Sequence, residues 1–89
     1  MQIVLKKLDD LSYEVAVSGN SPTTHTVTVT AAYAEKLTAG RITTEELVRR
    51  SFDFLLQREP NTSILRRFDL SVIARYFPEY EPTIGQDIK

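Results

Sequence analysis

The 89-residue chain has no cysteine, a single histidine, three glycines and almost no net charge. Each shortage closes off a class of function. Without cysteine there is neither a disulfide framework nor thiolate chemistry. The one histidine, His25, cannot by itself make the HxxxH, HxH or HExxH spacings that gather metal ligands, so no metal or cofactor site is expected. It is also the only good base for a serine or threonine nucleophile, and the threonines around it are those of a β-strand. Gly19, Gly40 and Gly85 lie too far apart to form a phosphate-cradling loop. No apolar run approaches the roughly 20 residues that cross a bilayer. The N-terminus, MQIVLKKLDD, places its apolar run before its charges, the reverse of a secretory signal, so a cytoplasmic protein is expected. A net charge of −1 gives no overall attraction to nucleic acid or to an anionic membrane.

What remains is a small single domain, of a size that buries only about two-thirds of the surface its unfolded chain exposes. Pairing with a second copy would add to that modest core. The charges are sorted along the chain. Residues 1–40 carry Lys6, Lys7 and Lys36 but no arginine, whereas all seven arginines lie between Arg41 and Arg75. Residues 51–80 hold every phenylalanine and four of the arginines, namely Arg58, Arg66, Arg67 and Arg75.

The first third reads as strand. Gln2 to Leu8 is β-prone, Asp9-Asp10 is a turn, and Leu11, Tyr13, Val15 and Val17 alternate with polar or small residues. Gly19-Asn20-Ser21-Pro22 makes the next turn. In the following run Thr24, Thr26 and Thr28 fall on one face and His25, Val27 and Val29 on the other. His25, near the strand start, is expected to be a partly buried edge residue. Short connections between all three segments (about 2–8, 11–18 and 23–30) predict an antiparallel meander.

Helix signals then take over. Thr30 is a suitable N-cap for a helix over 31–39, with Gly40 as the left-handed residue that ends it. Thr43 and Glu46 have the spacing of a capping box, with Ile42 and Leu47 as a hydrophobic staple, for a helix over 44–58 that Pro60 terminates. Asn61 or Thr62 can cap a further helix over 62–68, and Asp69 one over 70–77. One kinked helix across 62–77 is the alternative. Helical spacing assigns Phe52, Leu55, Leu56, Ile64, Leu65, Phe68, Val72, Ile73, Tyr76 and Phe77 to the core. Residues 79–89, with three acids, Pro82 and Gly85, read as a loosely held acidic tail. The fold class is therefore α+β: a three-stranded meander followed by three or four helices packed on one face, in one domain over 1–78.

No catalytic constellation is present in the sequence. Asp9-Asp10 is a turn, Glu45-Glu46 belongs to a helix N-terminus, and Asn61-Thr62-Ser63 reads as capping chemistry rather than a glycosylation acceptor. The outward arginines Arg58, Arg66, Arg67 and Arg75 are the candidate partner-binding residues, suited to a carboxylate or phosphate on another molecule. The expectation is a non-enzymatic interaction or regulatory module, self-associating or bound to another protein.

Two resemblances add to this. THTVTVT, AAYAEKL, Gly40 and TTEELVRRSFDFLL, within residues 24–56, resemble the ribbon, first helix, turn and second helix of ribbon-helix-helix DNA-binding proteins. That resemblance implies, as the alternative, a DNA-binding regulator or antitoxin with Thr24, Thr26 and Thr28 facing the major groove. The string REPNTSILRRFDLSVIARYFPEYE, at the end of the chain's aromatic segment, resembles a family of small prokaryotic single-domain proteins. It implies a bacterial or archaeal cytoplasmic protein and brings no activity with it.

Overall fold

The computed structural model describes residues 2–88. The expected meander is present as β1 (Gln2–Asp9), β2 (Ser12–Ser18) and β3 (Thr23–Thr28), with β1 and β2, and β2 and β3, paired antiparallel. The period-two pattern sets the faces. Tyr13, Val15 and Val17 of β2 and Thr23, His25 and Val27 of β3 point inward and are buried. Lys6, Glu14 and Thr26 form one cross-strand row on the opposite face, and Ser12 and Thr28 lie in another.

Two helices follow. The first, α1 (Ala31–Thr38), is capped by Thr30, whose hydroxyl accepts from the Tyr33 N–H at 3.2 Å. It ends on Ala39 at φ 50°, one residue earlier than Gly40, which also has positive φ at 74°. The second helix, α2 (Thr44–Leu56), begins as its sequence predicts, with Thr43 Oγ1 accepting from the Glu46 N–H at 3.1 Å. Half of the capping box is thereby made. The Glu46 carboxylate instead pairs with Arg50 at 3.0 Å, one turn along. Leu47, Val48, Phe52 and Leu55 line the buried face of α2, and each contributes about 1.5–3 kcal/mol of transfer free energy.

Beyond Pro60 the structure departs from the helical reading. No helix spans 62–68. A single 3-10 turn at Asn61–Ser63 leads into an extended segment and a fourth strand, β4 (Arg67–Asp69), which pairs parallel to β3 at its second edge. Two causes are visible. Asn61 does not cap a helix; it is buried, and its amide donates to the Ser21 carbonyl at 2.8 Å and to Thr23 Oγ1 at 2.9 Å. The Thr26 N–H, which would otherwise be left unpaired at a buried edge, donates to the Arg66 carbonyl at 2.7 Å. The sheet is thus four-stranded and mixed, in the order β1-β2-β3-β4.

Asp69 is a cap as expected, with Oδ2 accepting from the Ser71 N–H at 3.1 Å. It starts a 3-10 turn, Leu70–Val72, that continues into the short helix α3 (Ile73–Tyr76). The region expected to be a loose acidic tail contains a helix, α4 (Tyr80–Ile88), with Tyr80, Ile84 and Ile88 buried. Those three sit four residues apart on one face, and Phe54 of α2 packs edge-on against the Tyr80 ring at 5.2 Å. All four helices lie on the inward face of the sheet, where one cluster of apolar side chains joins sheet and helices. No helix among the described residues is long and apolar enough to cross a membrane.

Candidate functional site

His25 occupies the position most changed from expectation. It lies on an interior strand and is fully buried, where an edge location was expected. Its Nδ1 lies 2.7 Å from the Leu65 carbonyl, which can only accept, so Nδ1 carries the proton. Thr23 Oγ1, which already accepts from Asn61, lies 2.8 Å from Nε2 and donates to it. The imidazole is therefore neutral and engaged at both nitrogens, with Phe52 against its ring at 5.4 Å. Burial pushes its pKa below the ordinary value; the Leu65 hydrogen bond opposes this and the nearby Arg66 charge adds to it. A histidine so enclosed holds the strand-approach segment 61–65 against β3 and offers no free nitrogen to an outside substrate.

The four candidate arginines separate into two groups. Arg58 is structural: its guanidinium lies 3.6 Å from the centre of the Phe54 ring and donates to the Phe54 carbonyl and to Glu79, both at 3.1 Å. Arg66, Arg67 and Arg75 are exposed, and none has a carboxylate within 4.0 Å among the described residues. Arg67 faces the open side of the sheet, opposite Thr26, in the row that begins with Lys6 and Glu14.

The alternative DNA-contacting threonines share that open face but differ in surroundings. Thr24 is exposed, Thr26 is half-buried, and the Thr28 hydroxyl donates to Asp69 at 2.8 Å. Burial raises the Asp69 pKa, but hydrogen bonds from the Ser71 and Thr28 hydroxyls and the Ser71 N–H outweigh it, leaving the carboxyl below its ordinary value. A ribbon shared between subunits uses a free strand edge, and β3 has β2 on one side and β4 on the other.

Sequence reasoning placed Leu65 and Tyr76 in the core, and here the structure differs. They are 48% and 67% exposed. With Leu55, Phe68 and Ile73 they line an apolar groove of about 210 Å³ between the end of α2, β4 and α3, with Glu59 at its α2 end. The helical reading of 62–68 turned Leu65 inward; once the segment is extended, Ile64 and Phe68 go in and Leu65 stays out. A strand of three residues is too short to declare a period, so the sequence carried no signal for the groove. A larger cleft of about 420 Å³ between α2 and α4 has mainly polar walls, where Arg50 bonds to Glu46 and to Asp87. Comparisons with protein-family models, curated proteins and solved structures give no match.

Proposed function

We propose that this protein is a non-enzymatic interaction module that docks another polypeptide in the groove between α2, β4 and α3. The observation that carries the reading is convergence. Of five large hydrophobic side chains exposed among the described residues, Leu65 and Tyr76 line the same groove. Three exposed arginines without carboxylate partners lie next to these residues in the sequence, Arg66 and Arg67 after Leu65 and Arg75 before Tyr76. A tyrosine and arginines beside an apolar pocket is the composition of energetic centres in protein interfaces. The open face of the sheet offers less, because its exposed Val4 shares a row with the small or polar Ala16 and Thr24, and the charges of the next row, Lys6, Glu14 and Arg67, are of both signs.

The reading is tested by photocrosslinking in cells that make the protein. A benzophenone amino acid at position 76 is expected to give a discrete adduct, and one at position 24 on the open sheet face is not. The adduct should vanish when Leu65→Glu is added to a chain whose circular dichroism is unchanged. An adduct of twice the monomer mass would make the occupant a second copy. Equal labelling from both positions, or none from position 76, sinks the proposal.

A further inference from the structure

We infer that the groove takes an extended segment of alternating apolar and acidic residues, added to the free edge of β4 as a fifth strand. This rests on the groove being the docking surface. Three observations carry it further, to a partner of stated chemistry.

The first is the unoccupied backbone. In a parallel pair, alternate residues address the same neighbour. The Thr26 N–H bonds the Arg66 carbonyl, and Thr26 lies opposite Arg67, so Arg66 and Phe68 address β3. The Arg67 N–H and carbonyl point the other way, and neither has a hydrogen-bond partner among the described residues. The opposite edge of the sheet is treated differently. On β1 the Ile3 carbonyl accepts from Arg49 at 3.1 Å, the pairing slips between Lys7 and Asp9, and Lys6 and Lys7 add charge. Those are devices that discourage strand addition. β4 is also short and charged, through Arg67 and Asp69, but among the described residues no side chain caps the backbone groups on its outer side, and its pairing with β3 has no slip.

The second observation is the alternation of surroundings. Phe68 points inward and lines the groove, while Arg67 points to the open face. A strand laid along β4 presents its own side chains alternately to the same two sides. One set meets Leu65, Phe68 and Tyr76. The other set continues the row Lys6–Glu14–Thr26–Arg67, beside an arginine that lacks a carboxylate. The third observation is the sign of the charge. Arg66 and Arg75 add exposed positive charge next to the groove residues Leu65 and Tyr76, against Glu59 alone in its lining. Apolar residues alternating with carboxylates satisfy both sides at once.

The test is fluorescence anisotropy with a labelled Glu-Val-Glu-Ile-Glu-Val-Glu peptide. Its lysine counterpart and a block-ordered peptide of the same composition serve as comparisons. Saturable binding is expected for the alternating acidic peptide, with affinity weaker by roughly tenfold or more for either comparison. Arg67→Ala should weaken binding. Arg67→Pro, which removes the outward N–H without removing a bond to β3, should abolish it while circular dichroism stays unchanged. Absence of saturable binding, or equal binding of the block-ordered peptide, overturns the strand inference. If crosslinking from position 76 survives that result, the docking groove stands and only its occupant's form is wrong; if both fail, both readings fall.

Discussion

The Tyr80 phenol donates a hydrogen bond to Ser51 Oγ across 2.6 Å of fully buried core, tying α4 to α2. The direction follows from Ser51 itself, whose single hydrogen goes to the Leu47 carbonyl at 2.7 Å. Burial pushes the Tyr80 pKa far above the ordinary phenol value. Ser51→Ala strands a phenol hydrogen in the core and is expected to cost about 1–3 kcal/mol. Tyr80→Phe should cost about 1–2 kcal/mol, and the double change less than the two together. Urea denaturation of the four proteins measures this; strict additivity would show that the hydroxyls do not interact.

The lowered His25 pKa makes stability depend on mildly acidic pH. Because the folded pKa lies below the unfolded value of 6.5, the unfolded chain binds the extra proton between the two. Stability is therefore complete above about pH 6.5 and declines as pH falls toward the folded pKa, with a slope of at most about 1.4 kcal/mol per pH unit. The carboxyls with shifted values, Asp69, Glu79 and Glu81, are all lowered from ordinary values near 4, outside this window. Denaturation free energies should fall between pH 7 and pH 5.5 in the natural protein. A flat profile would mean that His25 keeps its ordinary pKa.

Ala39 holds a left-handed conformation that suits glycine. Ala39→Gly is expected to raise stability by about 0.5–1 kcal/mol, because relief of the Cβ penalty exceeds the added entropy of the unfolded chain. The reverse applies at Gly40, where an added Cβ would meet no atom within 4 Å and only the backbone penalty counts. Gly40→Ala should therefore destabilise. Thermal unfolding of both variants decides the matter, and a lower midpoint for Ala39→Gly would refute the strain argument.

Deletion of residues 80–88 distinguishes an integral α4 from an appendage. Tyr80, Ile84 and Ile88 are each worth about 1.5–3 kcal/mol when buried, a large share of the roughly 5–15 kcal/mol available to a small domain. The shortened chain is expected to lose cooperative unfolding in urea. A sharp transition at an unchanged midpoint would mean that α4 contributes nothing to the fold.

Which parts of this fold could be read from the chain depended on how local their causes are. Thr43, Ile42 and Leu47 announce α2 because capping and the hydrophobic staple act within one turn. Leu11 to Val17 announce a strand because alternation is a property of neighbours. In β4, Arg67–Asp69, the deciding partners are Thr26 and His25, about forty residues earlier in the chain, and the local pattern favoured a helix. The tail misled for a different reason: Pro82 and Gly85 masked the spacing of Tyr80, Ile84 and Ile88. Of the candidate site, the exposure of Arg66, Arg67 and Arg75 was legible, whereas the groove depended on a tertiary pairing.

The parallel pairing of β3 with β4 has a consequence for the order of assembly. The meander closes through turns of a few residues, but β4 can dock only after the chain has returned past both α1 and α2. Closing that longer loop is entropically costlier and slower than making a hairpin. The last piece to arrive then carries Leu65, Arg67 and Phe68, and its three-residue ladder is the part of the sheet that opens most readily. Amide exchange should be faster at Phe68 than at Val15, with both slowed if a fifth strand is bound. The surface proposed for recognition would then be the region whose folding is completed by its partner.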